Sequence, residues 1–132
     1  MDVFDDVRMF LSNEKQKKNN IYIIDADNLI PDLDAIINDK RSSIIICVAS
    51  SNQFAKVLSS EINNVKRKKS AKVYTYIVNP GKDAADIFIG SILGWCIAKY
   101  GRDYNYKIVS RDKIFIGLKN EYVKLGYNVD IY

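Results

Sequence analysis

Three segments of the chain carry an aspartate after an apolar run or after the turn that follows one. Asp25 ends the run IYIID, Asp86 follows the turn NPGK, and Asp112 follows the run YKIVS. Carboxylates that approach one another repel unless a cation or a proton neutralises them. Hard oxygen ligands of this kind suit Mg²⁺ and Mn²⁺. The three aspartates therefore predict a site for a divalent cation, provided that the fold brings them together.

Each of these polar residues also has an ordinary structural explanation. A side chain that caps a helix, or an acid in its first turn, stabilises the helix through its unsatisfied N–H groups and its dipole. The residues that could act in this way are Asp27, Asn28, Asp83, Asp86, Ser110 and Asp112. Asp25 is different, because it follows four apolar residues, where an unpaired charge would be unfavourable. The metal hypothesis depends on the set and not on any single acid.

Composition narrows the chemistry that is available. The chain has no histidine, so catalysis would depend on carboxylates, hydroxyls, lysines or a bound metal ion. The formal net charge of +4 only weakly indicates a polyanionic partner. Cys47 and Cys96 lie in apolar segments without Cys-x-x-Cys spacing, which predicts two buried, reduced thiols. No apolar run reaches the roughly 20 residues of a membrane span, so we expect no membrane partner and a cytoplasmic location, with the nucleus left open.

Strand-like and helix-like segments alternate along the 132 residues, which are enough for one domain. The runs IYIID, SIIICVA, VYTYIV, YKIVS and NVDIY predict five strands. Helices are predicted over residues 2–18, around PDLDAIIND, across residues 54–65, from about Asp83 to Tyr100, and from Phe115 to Leu125. Gly90 and Gly94 predict close packing of the fourth helix against the sheet. This alternation indicates a mostly parallel sheet covered on both faces, with ligands beyond the carboxyl ends of its strands.

Basic residues could bind a phosphate backbone. They are Lys66, Arg67, Lys68, Lys69 and Lys72 in the segment NVKRKKSAK, together with Lys82, Arg111 and Lys113. The segment could equally be a solvated charged loop. A single strand of RNA could stack on tyrosines such as Tyr104 or Tyr106. Core packing is the stronger prediction for Tyr74, Tyr76 and Tyr106, because they lie in strand runs.

The motifs IIDADN, KDAADIFIGSILGW and IVSRDKIF, in this order, resemble those of the PIN-like nucleases and, among them, of the NYN group. The resemblance covers residue 21 to about residue 132. We predict one PIN-like domain over residues 1–132, in which the N-terminal amphipathic helix at 1–19 lies outside the resemblance and is followed by an α/β core at 20–132. The resemblance implies a three-layer α/β/α fold with a central, mostly parallel sheet of about five strands, and Mg²⁺- or Mn²⁺-dependent cleavage of RNA.

The residues that match the motifs are Asp25 and Asn28 in the first, Lys82 and Asp86 in the second, and Ser110 and Asp112 in the third. The resemblance implies that Asp25, Asp86 and Asp112 hold one or two metal ions. Asn28 and Ser110 would orient these carboxylates. Many relatives carry a further acid soon after the third motif, whereas Lys113 and apolar residues follow here. Asp27 or Asp83 could substitute for it.

Two alternatives remain open at this point. The missing acid allows an inactive PIN-like module that binds RNA, a protein partner or a second copy of the chain. The pair Asp25 and Asp27 also fits the nucleophile and acid of a haloacid-dehalogenase-type phosphatase, although Leu29 stands where a threonine is usual. No Gly-x-Gly-x-x-Gly follows any strand, which weakens a dinucleotide-binding role.

Overall fold

A computed structural model describes residues 19–27, 35–36, 39–50, 72–81 and 83–132 of the chain. The strands are β1 (Asn19–Asp25), β2 (Ser42–Ala49), β3 (Lys72–Ile77), β4 (Tyr104–Val109) and β5 (Asn128–Ile131). The helices are α1 (Ala84–Tyr100) and α2 (Ile114–Lys124), with a 3₁₀ turn at Gly101–Asp103. The five strands and these two helices are confirmed. The helices predicted over 2–18 and 54–65 lie outside the described residues, as does most of the one around PDLDAIIND.

The five strands form one sheet in the order β3-β2-β1-β4-β5. Every neighbouring pair is parallel, and Asp25 lies beside Val48 of β2, while Ile24 lies beside Val109 of β4. The chain builds outward from β1 on one side through β2 and β3, and then on the other side through β4 and β5. The order therefore reverses between β1 and β4, where an open parallel sheet forms its ligand crevice. Asp25 and Ser110 end up as neighbours at that point.

Apolar side chains cover both faces of the sheet. On one face, Ile23, Ile46 and Ile108 pack with Ile89 of α1 and Phe115 of α2. The other face is a separate cluster that contains Tyr22, Ile24, Ile45, Cys47, Val109 and Ile36 of the connection between β1 and β2. Burying an isoleucine side chain contributes about 1.5–3 kcal/mol to the stability of the fold, so the isoleucines at the strand centres stabilise the sheet. The predicted α/β architecture with a parallel sheet is confirmed.

Gly90 and Gly94 face the second helix and not the sheet, so that expectation is wrong. A Cβ on Gly90 would lie 3.6 Å from Leu118 Cδ2, and one on Gly94 would lie 3.1 Å from Tyr122 Oη. The four-residue spacing places both glycines on one face of α1. They allow α2 to approach α1 closely, and the two helices cover the same face of the sheet.

The tyrosines of the strands differ in environment. Tyr106 is fully buried, and its hydroxyl donates to Gly101 O at 2.7 Å, so it offers no stacking surface. Tyr74 and Tyr76, on the edge strand β3, are 44% and 43% exposed, and the prediction of core packing is wrong for them. Cys47 and Cys96 are buried free thiols. None of the described helices is both long enough and apolar enough to cross a membrane.

Candidate functional site

A serine hydroxyl connects two strand ends at the switch point of the sheet. Asp25 is fully buried at the end of β1, and Ser110, 5% exposed, follows β4. Ser110 Oγ donates to Asp25 Oδ2 at 2.9 Å and accepts the backbone N–H of Asp112 at 3.0 Å. Because a hydroxyl has one proton to donate, these two contacts together fix its direction. Ser110 thus holds the Asp25 carboxylate and the loop that carries Asp112 in one arrangement.

Asp112 has two roles at the start of α2. Its Oδ1 accepts the backbone N–H of Ile114, the first residue of α2, at 3.1 Å, although the cap position itself is Lys113, which makes no side-chain capping hydrogen bond. The hydrogen bond from Ile114, followed by one with the Asp86 carboxyl, lowers the pKa of Asp112. The same carboxylate therefore supports the helix and faces a second acid.

Asp86 lies in the first turn of α1 and is half-buried. Partial burial raises the pKa of Asp86 to about 6, together with a hydrogen bond to Asp112 and the negative charges of Asp112, Asp25 and Asp83. Carboxylates from the end of β1 and from the loop before α2 are therefore close enough to oppose the ionisation of Asp86 in α1. The structure brings Asp25, Asp86 and Asp112 together.

Asp83 precedes α1 in a left-handed backbone conformation, with φ 59° and ψ 13°. It makes no side-chain capping hydrogen bond, so the expectation that its side chain caps this helix is wrong. Aspartate tolerates the left-handed region better than most residues do, although the conformation remains uncommon. The Asp83 carboxylate instead adds negative charge beside Asp86.

Asp27 connects the loop after β1 to the end of β2. Its Oδ1 and Oδ2 accept the backbone N–H of Ser50 at 3.0 and 3.1 Å. This single N–H, shared by the two oxygens, attaches the Asp27 carboxylate to the backbone that follows β2. No side-chain pattern could have identified Ser50, because the group involved belongs to the backbone.

The donor set at this edge fits a hard divalent cation in its chemistry. All the converging groups are carboxylate or hydroxyl oxygens, the ligands that Mg²⁺ and Mn²⁺ prefer. Within the described ranges, no three or more acidic, histidine or cysteine side chains are already arranged as a metal cage. The described residues therefore supply converging ligands without a complete coordination shell.

The predicted substrate-binding residues are spread over more than one place. Arg111 and Lys113 are exposed on either side of Asp112. Lys72 begins β3 and so lies at the amino end of the sheet, opposite the carboxylates. Asn28, Lys66, Arg67, Lys68, Lys69 and Lys82 lie outside the described residues.

Comparison with known proteins identifies the family. A family model described as PIN domain matches residues 19–131, a span that includes all five strands and both helices. Comparisons with curated proteins and with solved structures gave no match. PIN domains are typically nucleases and generally use divalent metal ions. The carboxylates at the switch point are the kind of site that such a nuclease needs, and the chain belongs to the PIN domain family.

Proposed function

We propose that this PIN domain is an endoribonuclease of the NYN type that depends on Mg²⁺ or Mn²⁺. The observation that carries the proposal is the convergence of acids from three segments, which adds to the effect of burial in raising the pKa of Asp86 to about 6. Such a cluster is unfavourable in a protein that has no cation to place there. Asp25, Asp86 and Asp112 would hold the ion, and Asp27 and Asp83 are the further acids within the same region of the chain.

The bound ion would supply an activated water molecule and stabilisation of the leaving oxygen of an RNA phosphodiester. Ser110 keeps the Asp25 carboxylate in position through its 2.9 Å hydrogen bond. The backbone N–H of Ile114 keeps Asp112 Oδ1 at the start of α2. Arg111 and Lys113 place two positive charges beside the acids, where they would attract the phosphate backbone. Asn28 and Lys82 are assigned supporting roles from their motifs.

Replacement of Asp112 by asparagine tests the proposal. Asp112→Asn removes one ligand charge and keeps the size of the side chain, so cleavage of labelled single-stranded RNA with Mn²⁺ should fall by about 100-fold or more. Asp130→Asn is the matched control, because Asp130 is exposed on β5 and only loosely paired with Lys119, at 3.9 Å. Cleavage by Asp112→Asn at the rate of this control would rule out the assignment.

An inactive PIN domain that binds RNA or a protein is the second candidate. The absence of a completed metal cage within the described ranges favours it. Calorimetric titration with Mn²⁺ separates the two candidates without measuring cleavage. Binding that is lost in both Asp86→Asn and Asp112→Asn supports the nuclease, whereas no binding by the unmodified protein supports the inactive domain.

A further inference from the structure

A strip of aromatic and basic side chains lies at the amino end of the sheet, on the opposite side from the carboxylates. The amino-edge strip consists of Trp95, Lys99, Tyr100, Tyr104, Lys40 and Lys72. The rings of Trp95 and Tyr100 meet edge to face with centroids 6.5 Å apart, and the rings of Tyr100 and Tyr104 lie 5.2 Å apart. Tyr100, Tyr104, Lys40 and Lys72 line one recess of about 340 Å³. The strip is therefore continuous from α1 to the start of β3.

Two lysines of the strip, Lys40 and Lys72, line the recess. Lys40 and Lys72 are exposed, and within the described residues neither has a carboxylate within 4.0 Å. Lys99 Nζ lies 4.7 Å from the ring centroid of Trp95 and 5.4 Å from that of Tyr100. Two ammonium groups that line the same recess repel each other, so an anion bound between them would be favoured.

The aromatic rings are available to a planar ligand. Trp95 is 58% exposed, which is unusual for so large a side chain. Tyr100 and Tyr104 are partly exposed at the rim of the recess. Aromatic rings interleaved with positive charges form the surfaces on which single-stranded nucleic acids stack their bases and place their phosphates. Such a surface binds with little sequence preference.

The strip does not belong to the carboxylate site. β4 has 6 residues, and at about 3.3 Å per residue its two ends are about 20 Å apart. Tyr104 begins this strand, and Ser110 follows its end. The basic segment Lys66–Lys69, outside the described residues, precedes Lys72 in the sequence and is separated from it only by Ser70 and Ala71.

We propose that the amino-edge strip is a second binding site for single-stranded RNA, separate from the site of cleavage. Phosphate groups contact Lys40 and Lys72, and bases stack on Trp95 and Tyr104. The choice of RNA as the ligand rests on the proposed function, but the binding is independent of the metal site. The strip would hold a segment of the substrate that is distant from the scissile bond.

Fluorescence anisotropy with a labelled single strand of about 16 nucleotides, near the upper size of such sites, measures the binding. EDTA is present, so that no cleavage occurs. Lys40→Gln combined with Lys72→Gln should weaken binding and reduce the slope of log K against log salt by about 1.4, because each phosphate contact with a single strand contributes about 0.7. Trp95→Ala should lower the affinity about fivefold or more and leave the slope unchanged.

The matched control is Lys119→Gln combined with Lys124→Gln. It makes the same change of charge on α2, where both lysines are near carboxylates, Lys119 with Asp130 and Lys124 with Glu121. This control should bind RNA with the affinity and the salt slope of the unmodified protein. Equal losses in the control and in the strip variant would show that only net charge matters and would overturn the proposal.

The outcomes separate this inference from the proposed nuclease activity. Loss of binding in the strip variants, with no cleavage by any form of the protein, supports the strip and rejects the nuclease. Cleavage that requires Asp112, with no RNA binding in EDTA or unchanged binding in the strip variants, supports the nuclease and rejects the strip.

Discussion

Two partly buried aspartates at opposite ends of the sheet have pKa values shifted in opposite directions. Asp39, near the amino end, accepts hydrogen bonds from Asn20 Nδ2 at 2.7 Å, from the Tyr22 hydroxyl at 2.9 Å and from the backbone N–H of Arg41 at 3.0 Å. Burial alone would raise its pKa, but these donors and the charge of Lys107 outweigh that effect, and the pKa of Asp39 lies below its usual range. The protein itself therefore stabilises the ionised form of this carboxylate.

Asp86, near the carboxyl end, is surrounded by other acids. The neighbours of Asp39, in contrast, are hydrogen-bond donors. The pKa of Asp86 rises to about 6 because of burial and of the neighbouring Asp112, Asp25 and Asp83 carboxylates. The contrast shows that the role of an aspartate depends on the groups that surround its carboxylate. A carboxylate surrounded by donors stabilises the fold, whereas one surrounded by acids reduces stability until a proton or a cation arrives. This distinction is the physical basis for assigning the site to one edge.

The largest effect is expected at the amino end. Asp39→Ala should lower the free energy of unfolding by about 3 kcal/mol, because Asn20 Nδ2 and the Tyr22 hydroxyl lose a charged acceptor. Urea denaturation measures the change. Asp39→Asn, which retains one acceptor oxygen, should lose roughly half as much. A loss below about 1 kcal/mol for the alanine variant would mean that Asp39 is not a structural carboxylate.

The carboxyl end of the sheet also contains a hydrogen bond that stabilises the fold, from Ser110 to Asp25. Ser110→Ala should lower the free energy of unfolding by about 1–2 kcal/mol, because the buried Asp25 carboxylate loses a hydrogen-bond donor. Ser110→Thr keeps the hydroxyl and serves as the control in the same denaturation experiment. If alanine and threonine give equal stability, the hydrogen bond to Asp25 contributes nothing measurable.

Asp86→Asn should raise the free energy of unfolding, whereas the substitutions at Asp39 and Ser110 lower it. Removing one negative charge from the cluster should raise the stability of the metal-free protein by about 1 kcal/mol at pH 7, a value reduced for solvent screening. The variant should also lose the increase in Tm that Mn²⁺ gives to the unmodified protein. Asp130→Asn, at an exposed position on β5, provides the control. A metal-free Asp86→Asn protein that is less stable than the unmodified one would remove the distinction between the two ends.

The pH dependence of stability, measured in EDTA, should distinguish the two ends more finely. The unfolded chain ionises its aspartates near pH 3.9. The contribution of Asp39, whose folded pKa is lowered, is complete above that pH and disappears as the pH falls through its folded pKa. The folded pKa of Asp86 is raised to about 6, so the native state retains a proton that the unfolded chain has released.

Stability linked to Asp86 should therefore decrease by about 1 kcal/mol as the pH rises from roughly 4 to somewhat above 6, a value reduced for solvent screening, and remain constant at higher pH. Urea denaturation at several pH values measures it as the difference between the unmodified protein and Asp86→Asn. The corresponding difference for Asp39→Asn should change at lower pH and with the opposite sign. Two differences that share one sign would contradict the comparison.

Local sequence pattern was sufficient to predict the five strands and the two described helices. The runs that predicted five strands were confirmed because Ile, Val and Tyr in short stretches favour extended backbone. The two described helices were predicted from their apolar spacing. Asp25 could be selected from sequence because a charge after four apolar residues needs a special partner, and in the fold it receives the hydroxyl of Ser110.

The predictions that were wrong concern the spatial neighbours of a residue and not the helix or strand that contains it. Gly90 and Gly94 were placed on α1, but the element that they face is α2. Tyr74 and Tyr76 were placed on a strand, but an apolar run does not reveal that its strand lies at the edge of the sheet. Asp83 has the residue type of a cap, yet its left-handed backbone leaves it without a capping hydrogen bond.

The sequence by itself determined the residue types, their order and the strand ends at which Asp25 and Asp112 occur. Only the tertiary structure decided which acids meet, because the β3-β2-β1-β4-β5 order joins segments that are far apart in the chain. It also separated Lys72 from the acids. Lys72 is the first residue of β3 and lies at the amino end of the parallel sheet, whereas the acids lie at the carboxyl end. Charge and hydrogen bonding act over a few ångströms of space, so the environment that distinguishes Asp86 from Asp39 exists only in the folded chain.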